Sequence, residues 1–306
     1  MNQQEKTFRD FRVSLAKERG LKRRGKRKKR LSRSWQGDLI LTIVLLGFAI
    51  FSALPLIFTI FNSFKPLDEI FIFPPKLFPR NFTWDNFTDL INLLGNTRIP
   101  ISRYLFNTII ISVLGTAGHI LLAALAAYPL AKHNFPGKNT INQLIIYSLM
   151  FSTVVTAIPN YLIISALGLI DTHLAIIIPA WGFTLGLFLM RQFMQTIPNE
   201  MLEAAKMDGA SEPRILFQVI MPMIKPAWLT VIILLFQQLW STDGGAFIFT
   251  ENIKPLSYAL RQIVAGGIAR TGTAAVVSVI MLIVPITVFI ISQTKIIDTM
   301  AHSGIK

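Results

Sequence analysis

The sequence predicts an all-α, polytopic membrane protein with six transmembrane helices, and three observations carry that reading. Hydrophobic residues make up 52% of the 306 and charged residues only 15%, with a mean hydropathy of +0.54. A soluble domain carries about a quarter charged residues, which argues against a soluble enzyme. Six apolar stretches without one Asp, Glu, Lys or Arg run over about 39–61, 105–131, 141–165, 174–190, 226–242 and 271–294. Positive charge gathers at one end: residues 1–37 hold 14 Lys and Arg against Glu5, Asp10 and Glu18, which is most of the formal net charge of +14.

Taken in order, residues 1–37 are a basic tail and residues 38–306 the membrane domain. The basic run is too long for a cleavable signal, and no small-residue cleavage site follows the first apolar stretch. Such a tail marks the cytoplasmic side and touches anionic lipid. Nucleic acid would be attracted to it electrostatically, but no nucleic-acid-binding signature accompanies it, and no nucleic-acid partner is expected. A bilayer core of about 30 Å needs about 20 helical residues. Four stretches meet this outright; 174–190 and 226–242 recruit flanking residues. The fifth is cut by Ser241-Thr242-Asp243-Gly244-Gly245. Six spans place both termini in the cytoplasm of a multi-pass cell-membrane protein.

Between the first two spans, Phe71 to Trp84 is rich in proline and aromatics. It reads either as an ordered extracellular cap or as an aromatic belt at the headgroups. Pro55, Pro129, Pro159, Pro179 and Pro285 fall inside spans, where each removes a backbone hydrogen bond. His119 is the only titratable group well inside a span. Beside Gly118 in an Ala-rich helix it reads as an interhelical hydrogen bonder, with a role in a solute pathway as the alternative. Gradient-driven pumps place ionisable groups in their spans, and these spans hold no Asp, Glu, Lys or Arg. The chain has no cysteine, its four histidines lack metal-ligand spacing, and no phosphate-binding glycine loop occurs. The sequence therefore predicts no catalytic site, no metal and no cofactor in this chain, with energy for any transport supplied from elsewhere.

The loop 191–225 holds the most information. Pro198 suits a first helical turn, Glu200 its positive end and Gly209 a left-handed cap, giving a short helix over about 198–208. Ser211 is placed to cap a second helix, with Ile215, Leu216, Val219 and Ile220 on one face and Pro222 ending it. The first helix sets small Ala204 and Ala205 beside Glu203 and Asp208, the composition of a docking knob. An amphipathic interfacial helix is the alternative, but such helices favour Lys and Arg.

Glu203-Ala204-Ala205, Gly209 after three intervening residues and Pro222 after Val219-Ile220-Met221 resemble the "EAA loop" of ABC importer permeases. Val219 and Met221 depart mildly from the family's Ile and Leu. Asn107-Thr108, Ala127-Tyr128-Pro129-Leu130-Ala131, Phe135-Pro136-Gly137, Gly168-Leu169-Ile170-Asp171-Thr172, Leu189-Met190-Arg191-Gln192-Phe193 and the closing Ala-His-Ser-Gly-Ile-Lys look like the maltose-type carbohydrate permeases. The likeness covers about residues 40–306. It weakens at Trp240-Ser241-Thr242-Asp243, where that family usually has Trp-Asn-Asp/Glu-Phe.

The resemblance implies one half of a permease pair. A second permease subunit would complete the pathway, two ATPase subunits binding ATP and Mg would dock from the cytoplasm, and an extracellular solute-binding protein would deliver a carbohydrate. Glu203, Ala204, Ala205, Asp208, Gly209 and Pro222 would form the ATPase-coupling element. For substrate contact, Gln237, Gln238 and Trp240 in the fifth span and Asn160 and Tyr161 in the third offer amide and aromatic groups at membrane depth; interhelical hydrogen bonding is the alternative. Competing readings are an ABC permease for a non-sugar solute, a secondary transporter, and a membrane scaffold acting through its tail.

Overall fold

The computed structural model describes residues 35–95 and 99–303, and the basic tail before Trp35 lies outside the described residues. Every regular element among them is helical. The chain divides at Leu56 into two units. The first described helix, α1 (Trp35–Asn62), is strongly apolar after its first turn, which holds Asp38, and has no buried residue. The architecture below concerns the second unit, Ile57–Lys306.

Among the described residues, four helical stretches are long and apolar enough to cross a bilayer: α1 and those over Ile101–Lys132, Leu174–Gln195 and Ile268–Lys295. They coincide with the first, second, fourth and sixth predicted spans. The other two predicted spans take different forms. The third divides into α5 (Lys138–Ser148) and α6 (Thr153–Ala166). Ser152 is extended, and its hydroxyl accepts from the Val154 amide at 3.3 Å, so a fresh N-terminus starts where one helix was expected. The fifth is α11 (Lys225–Trp240), joined at a 79° bend to α10 (Glu212–Met223). Among the described residues, four helices, or five if the bent pair counts as one span, meet the length criterion.

Between α1 and the second long helix, α4 (Ile101–Lys132), lie the short α2 (Leu67–Ile70) and α3 (Asp85–Gly95). The segment is an ordered cap. The carboxylate of Glu69 accepts from the amides of Arg80 at 2.6 Å and Asn81 at 3.1 Å. Phe64 stacks on Phe82 and meets Trp84 edge-on. Phe73 nonetheless stays 90% exposed and Trp84 58%, so the cap also presents aromatic surface, and the two readings of the segment are compatible.

The fourth predicted span is interrupted: α7 (Leu174–Trp181) and α8 (Thr184–Gln195) are separated by Gly182 and an extended Phe183, φ −61° and ψ 95°. The break frees the Trp181 carbonyl, which accepts from His119 Nδ1 at 2.8 Å. The bonding expected of His119 is present, and its partner is main chain. The last helices are α9 (Asn199–Met207), α12 (Leu256–Val264) and α13 (Thr271–Ser303).

α4 is the hub and packs against α7, α8, α11 and α12, while α13 packs on α11 and α3. Small residues make this closeness possible: Gly115, Ala123, Ala124 and Ala127 are all buried along α4. Three apolar clusters result. One lies at the Lys132 end of α4, one is built around Ile111, Ile177 and Leu235, and one joins α3, α12 and α13 around Leu90, Leu260 and Val276.

Candidate functional site

Helix α9 projects from the cluster at the Lys132 end of α4. Pro198 is its N-cap residue, one position earlier than a first-turn placement, within the usual scatter of helix boundaries. Leu202 is its one buried side chain and joins Met190, Met194, Ile215 and Ile220 in the core. Ala205 is half-buried against the same cluster. Glu203, Ala204 and Asp208 are exposed, and Met207 more so, at 88%. The outward side thus carries a small residue, acids, Lys206 and two long apolar side chains, Met201 and Met207. The sequence pattern found the acids and alanines; Met207 had no signal beyond its position three residues after Ala204.

Gly209 adopts φ +79°, and a Cβ there would meet nothing within 4 Å. Glycine is required by the backbone angle, not by space. Ser211 has the extended angles of a cap, but its side chain makes no capping bond, which corrects that expectation. Ile215, Leu216 and Ile220 are buried as predicted, and Val219 is half-buried. Residues Ile215–Ile220 wind as a π-helix. Pro222 follows at once and has no amide to return to the carbonyl four residues back. It does not end the helix; the bend falls at Ile224, φ −91° and ψ 21°, with Pro226 opening α11.

Polar contacts fix α9 to its neighbours. Lys206 Nζ lies 2.7 Å from Glu212 Oε1, and the Tyr128 hydroxyl donates to Glu212 Oε2. Lys132 Nζ donates to the Ile197 carbonyl and to Asn199 Oδ1. Arg191, predicted to open the loop, belongs instead to α8 and is 6% exposed; its Nε and Nη1 have no partner among the described residues.

The other end of α4 organises a second region. Asn107 Nδ2 donates to the carbonyls of Asn252 and Lys254, both at 2.9 Å. The Leu256 amide donates to Thr108 Oγ1 at 2.7 Å, and Tyr104 to Glu251 at 2.7 Å. Asp171, with φ +63°, accepts from the amides of Phe249 and Thr250, both at 2.8 Å, and from the Thr250 hydroxyl. These bonds hold the Asp171 carboxyl below its usual range, the Thr250 hydroxyl foremost. The Asn107-Thr108 and Gly168 to Thr172 motifs therefore converge on one loop, which spacing alone could not reveal.

The residues nominated at membrane depth are not brought together. Gln237 and Gln238 are exposed. Trp240 is 2% exposed and stacks on Phe236, with Nε1 lacking a partner among the described residues. Asn160 and Tyr161 are half-buried, Tyr161 facing Phe247 at 6.1 Å between ring centroids. No group of His, Asp or Glu among the described residues is arranged to hold a metal ion.

Residues 119–301 match the family model of the binding-protein-dependent transport system inner membrane component. The chain belongs to that family. The permease is 31% identical over 207 residues, 67% of its length and 73% of the relative's, to the inner membrane ABC transporter permease protein YcjP of Escherichia coli (strain K12). It is 30% identical to the polygalacturonan/rhamnogalacturonan transport system permease protein YtcP of Bacillus subtilis (strain 168), over 74% of this chain and 78% of that one. Among solved structures it resembles a chain of a bacterial ABC transporter involved in the import of the acidic polysaccharide alginate, with a TM-score of 0.70, 25% identity, and coverage of 86% of the permease and 98% of that chain.

Proposed function

We propose that the permease is one of two membrane subunits of an importer that moves an oligosaccharide or glycan fragment, with ATP and Mg bound by two partner ATPase subunits. The observation that carries this reading is α9. It is a short helix fixed to the core by Leu202, and it turns Glu203, Ala204, Asp208 and Met207 outward. An ATPase groove lined with basic and apolar groups is its complement. Helix α9 then faces the cytoplasm, as do both termini, and the 247–256 loop faces the extracellular solute-binding protein. Pathway contacts come from Gln237 and Gln238, whose amides are exposed and unpartnered within the described residues.

The carbohydrate reading is supported by relatives named for polygalacturonan, rhamnogalacturonan and diacetylchitobiose and by the alginate importer. Relatives named for sn-glycerol-3-phosphate, at 27% identity or less, favour a phosphorylated polyol as the second reading.

The test is affinity purification of the tagged chain from gently solubilised membranes. A second permease and an ATPase are expected with the parent chain, and the ATPase is expected to be lost with Glu203→Lys. Recovery of the chain alone, active in liposomes without ATP, would sink the proposal.

A further inference from the structure

We propose that Glu212 is the positioning residue that ties the coupling helix to α4, and that α4 carries the stroke to the 247–256 loop at its other end. This rests on the reading above that α9 docks on an ATPase.

A helix of nine residues with one buried side chain, Leu202, transmits little force by packing alone. Its displacement reaches the rest of the chain through whatever else grips it. Glu212 offers one oxygen to each side. Oε1 lies 2.7 Å from Lys206 Nζ, on α9 itself. Oε2 accepts from the Tyr128 hydroxyl, on α4, and stands 3.6 Å from His133 Nε2 just beyond it. A carboxylate shared by an ammonium and a phenol is a more directional joint than apolar contact, and its bonds are stronger than those between neutral groups. Lys132 adds a second tie to the Ile197 carbonyl, immediately before α9.

α4 is suited to carry such a stroke. Its 32 residues span about 48 Å at 1.5 Å per residue. Helices α7, α8 and α11 pack along it, and a close-packed interior transmits strain without being compressed. Side chains at the far end grip the distal loop: Asn107 holds the carbonyls of Asn252 and Lys254, and Thr108 holds the Leu256 amide. Both ends of one helix are thus bonded to the two regions that must communicate. This is a contiguous chain of bonds and packed helices, the kind of network through which coupling is carried.

The experiment exploits the lack of cysteine in the chain. Phe249→Cys, at a side chain 60% exposed, supplies one thiol in the distal loop. Its labelling by a membrane-impermeant maleimide is followed in the purified complex, without nucleotide and with ATP plus vanadate. Nucleotide is expected to change the rate several-fold in the parent. Glu212→Ala is expected to retain the ATPase but lose the change, and Glu212→Gln, which keeps an acceptor for Tyr128, to retain part of it. A merely structural role would lower recovery and leave the response per complex intact. Should Glu212→Ala shed the ATPase, Tyr128→Phe decides, since it removes one hydroxyl and leaves the Lys206 pair: loss of at least half the response supports the tie. A parent-like response in Glu212→Ala with ATPase bound, or in Tyr128→Phe, overturns it. A parent chain that brings down no ATPase overturns the docking reading and this proposal together.

Discussion

Gly186 stands so close to His119 that a Cβ built on it would lie 2.1 Å from the imidazole Nε2. On the facing helix, a Cβ on Gly118 would lie 2.1 Å from Trp181 Nε1, which donates to the Leu114 carbonyl at 3.1 Å. The interrupted helix and α4 therefore interlock through two missing side chains. Gly186→Ala is expected to cost about 1–3 kcal/mol, the usual range for overpacking. His119→Ala in the same chain should restore part of that loss, because the two changes share one space. Thermal unfolding of the detergent-purified single and double variants measures the coupling; strict additivity would refute the steric account.

At Gly209 the expectation is different in kind. Space is open around it and only φ, at +79°, is restrictive. Gly209→Ala should cost about 1–2 kcal/mol through the left-handed backbone, and Gly209→Asn less. ATPase recovery graded Gly, Asn, Ala would follow. Equal recovery of Asn and Ala variants would show that volume against the partner, not the turn, is limiting.

Asp171 makes the distal loop sensitive to acid. Its carboxyl titrates below the ordinary value because the Thr250 hydroxyl and the Thr250 and Phe249 amides bond to the charged form. A depressed folded value means the stabilisation is whole above the unfolded carboxylate range and is lost as pH falls through the folded value. Amide protection at Phe249 and Thr250, corrected for intrinsic exchange, should therefore be flat near neutrality and fall in acid. Asp171→Asn, which still tolerates a positive φ, should abolish that pH dependence. Persistence of the profile in that variant would assign it to another group.

For the pathway, Gln237→Ala combined with Gln238→Ala is expected to raise the apparent KM for the transported glycan several-fold while leaving ATPase recovery unchanged. Initial uptake rates over a concentration series provide the check. An unaltered KM would move substrate contact to other side chains.

Much of the fold was legible because a membrane helix writes itself as an uninterrupted apolar run. Four of the six stretches are long and helical within a few residues of the predicted bounds, the fourth with a break at Gly182 and Phe183. The stretch 141–165 misled because hydropathy does not register a cap: Ser152 is as compatible with a span as with a new helix start until its angles are known. Helix α9 was legible from Pro198, Gly209 and the alanines between them. The ties made by Tyr128, Lys132 and Glu212 were not, since they join residues distant in sequence and tyrosine inside an apolar run carries no partner label. For the same reason Arg191 was expected in a loop, though α8 runs on to Gln195 and buries it.

Asn107 grips two carbonyls, and Asp171 grips two amides. The distal loop is thus held largely through its main chain. Its outward side chains can be exchanged without unfastening it, as a key blank keeps its bow while its teeth are recut. Point substitutions there reshape the loop's outer surface and leave the helices beneath unaltered.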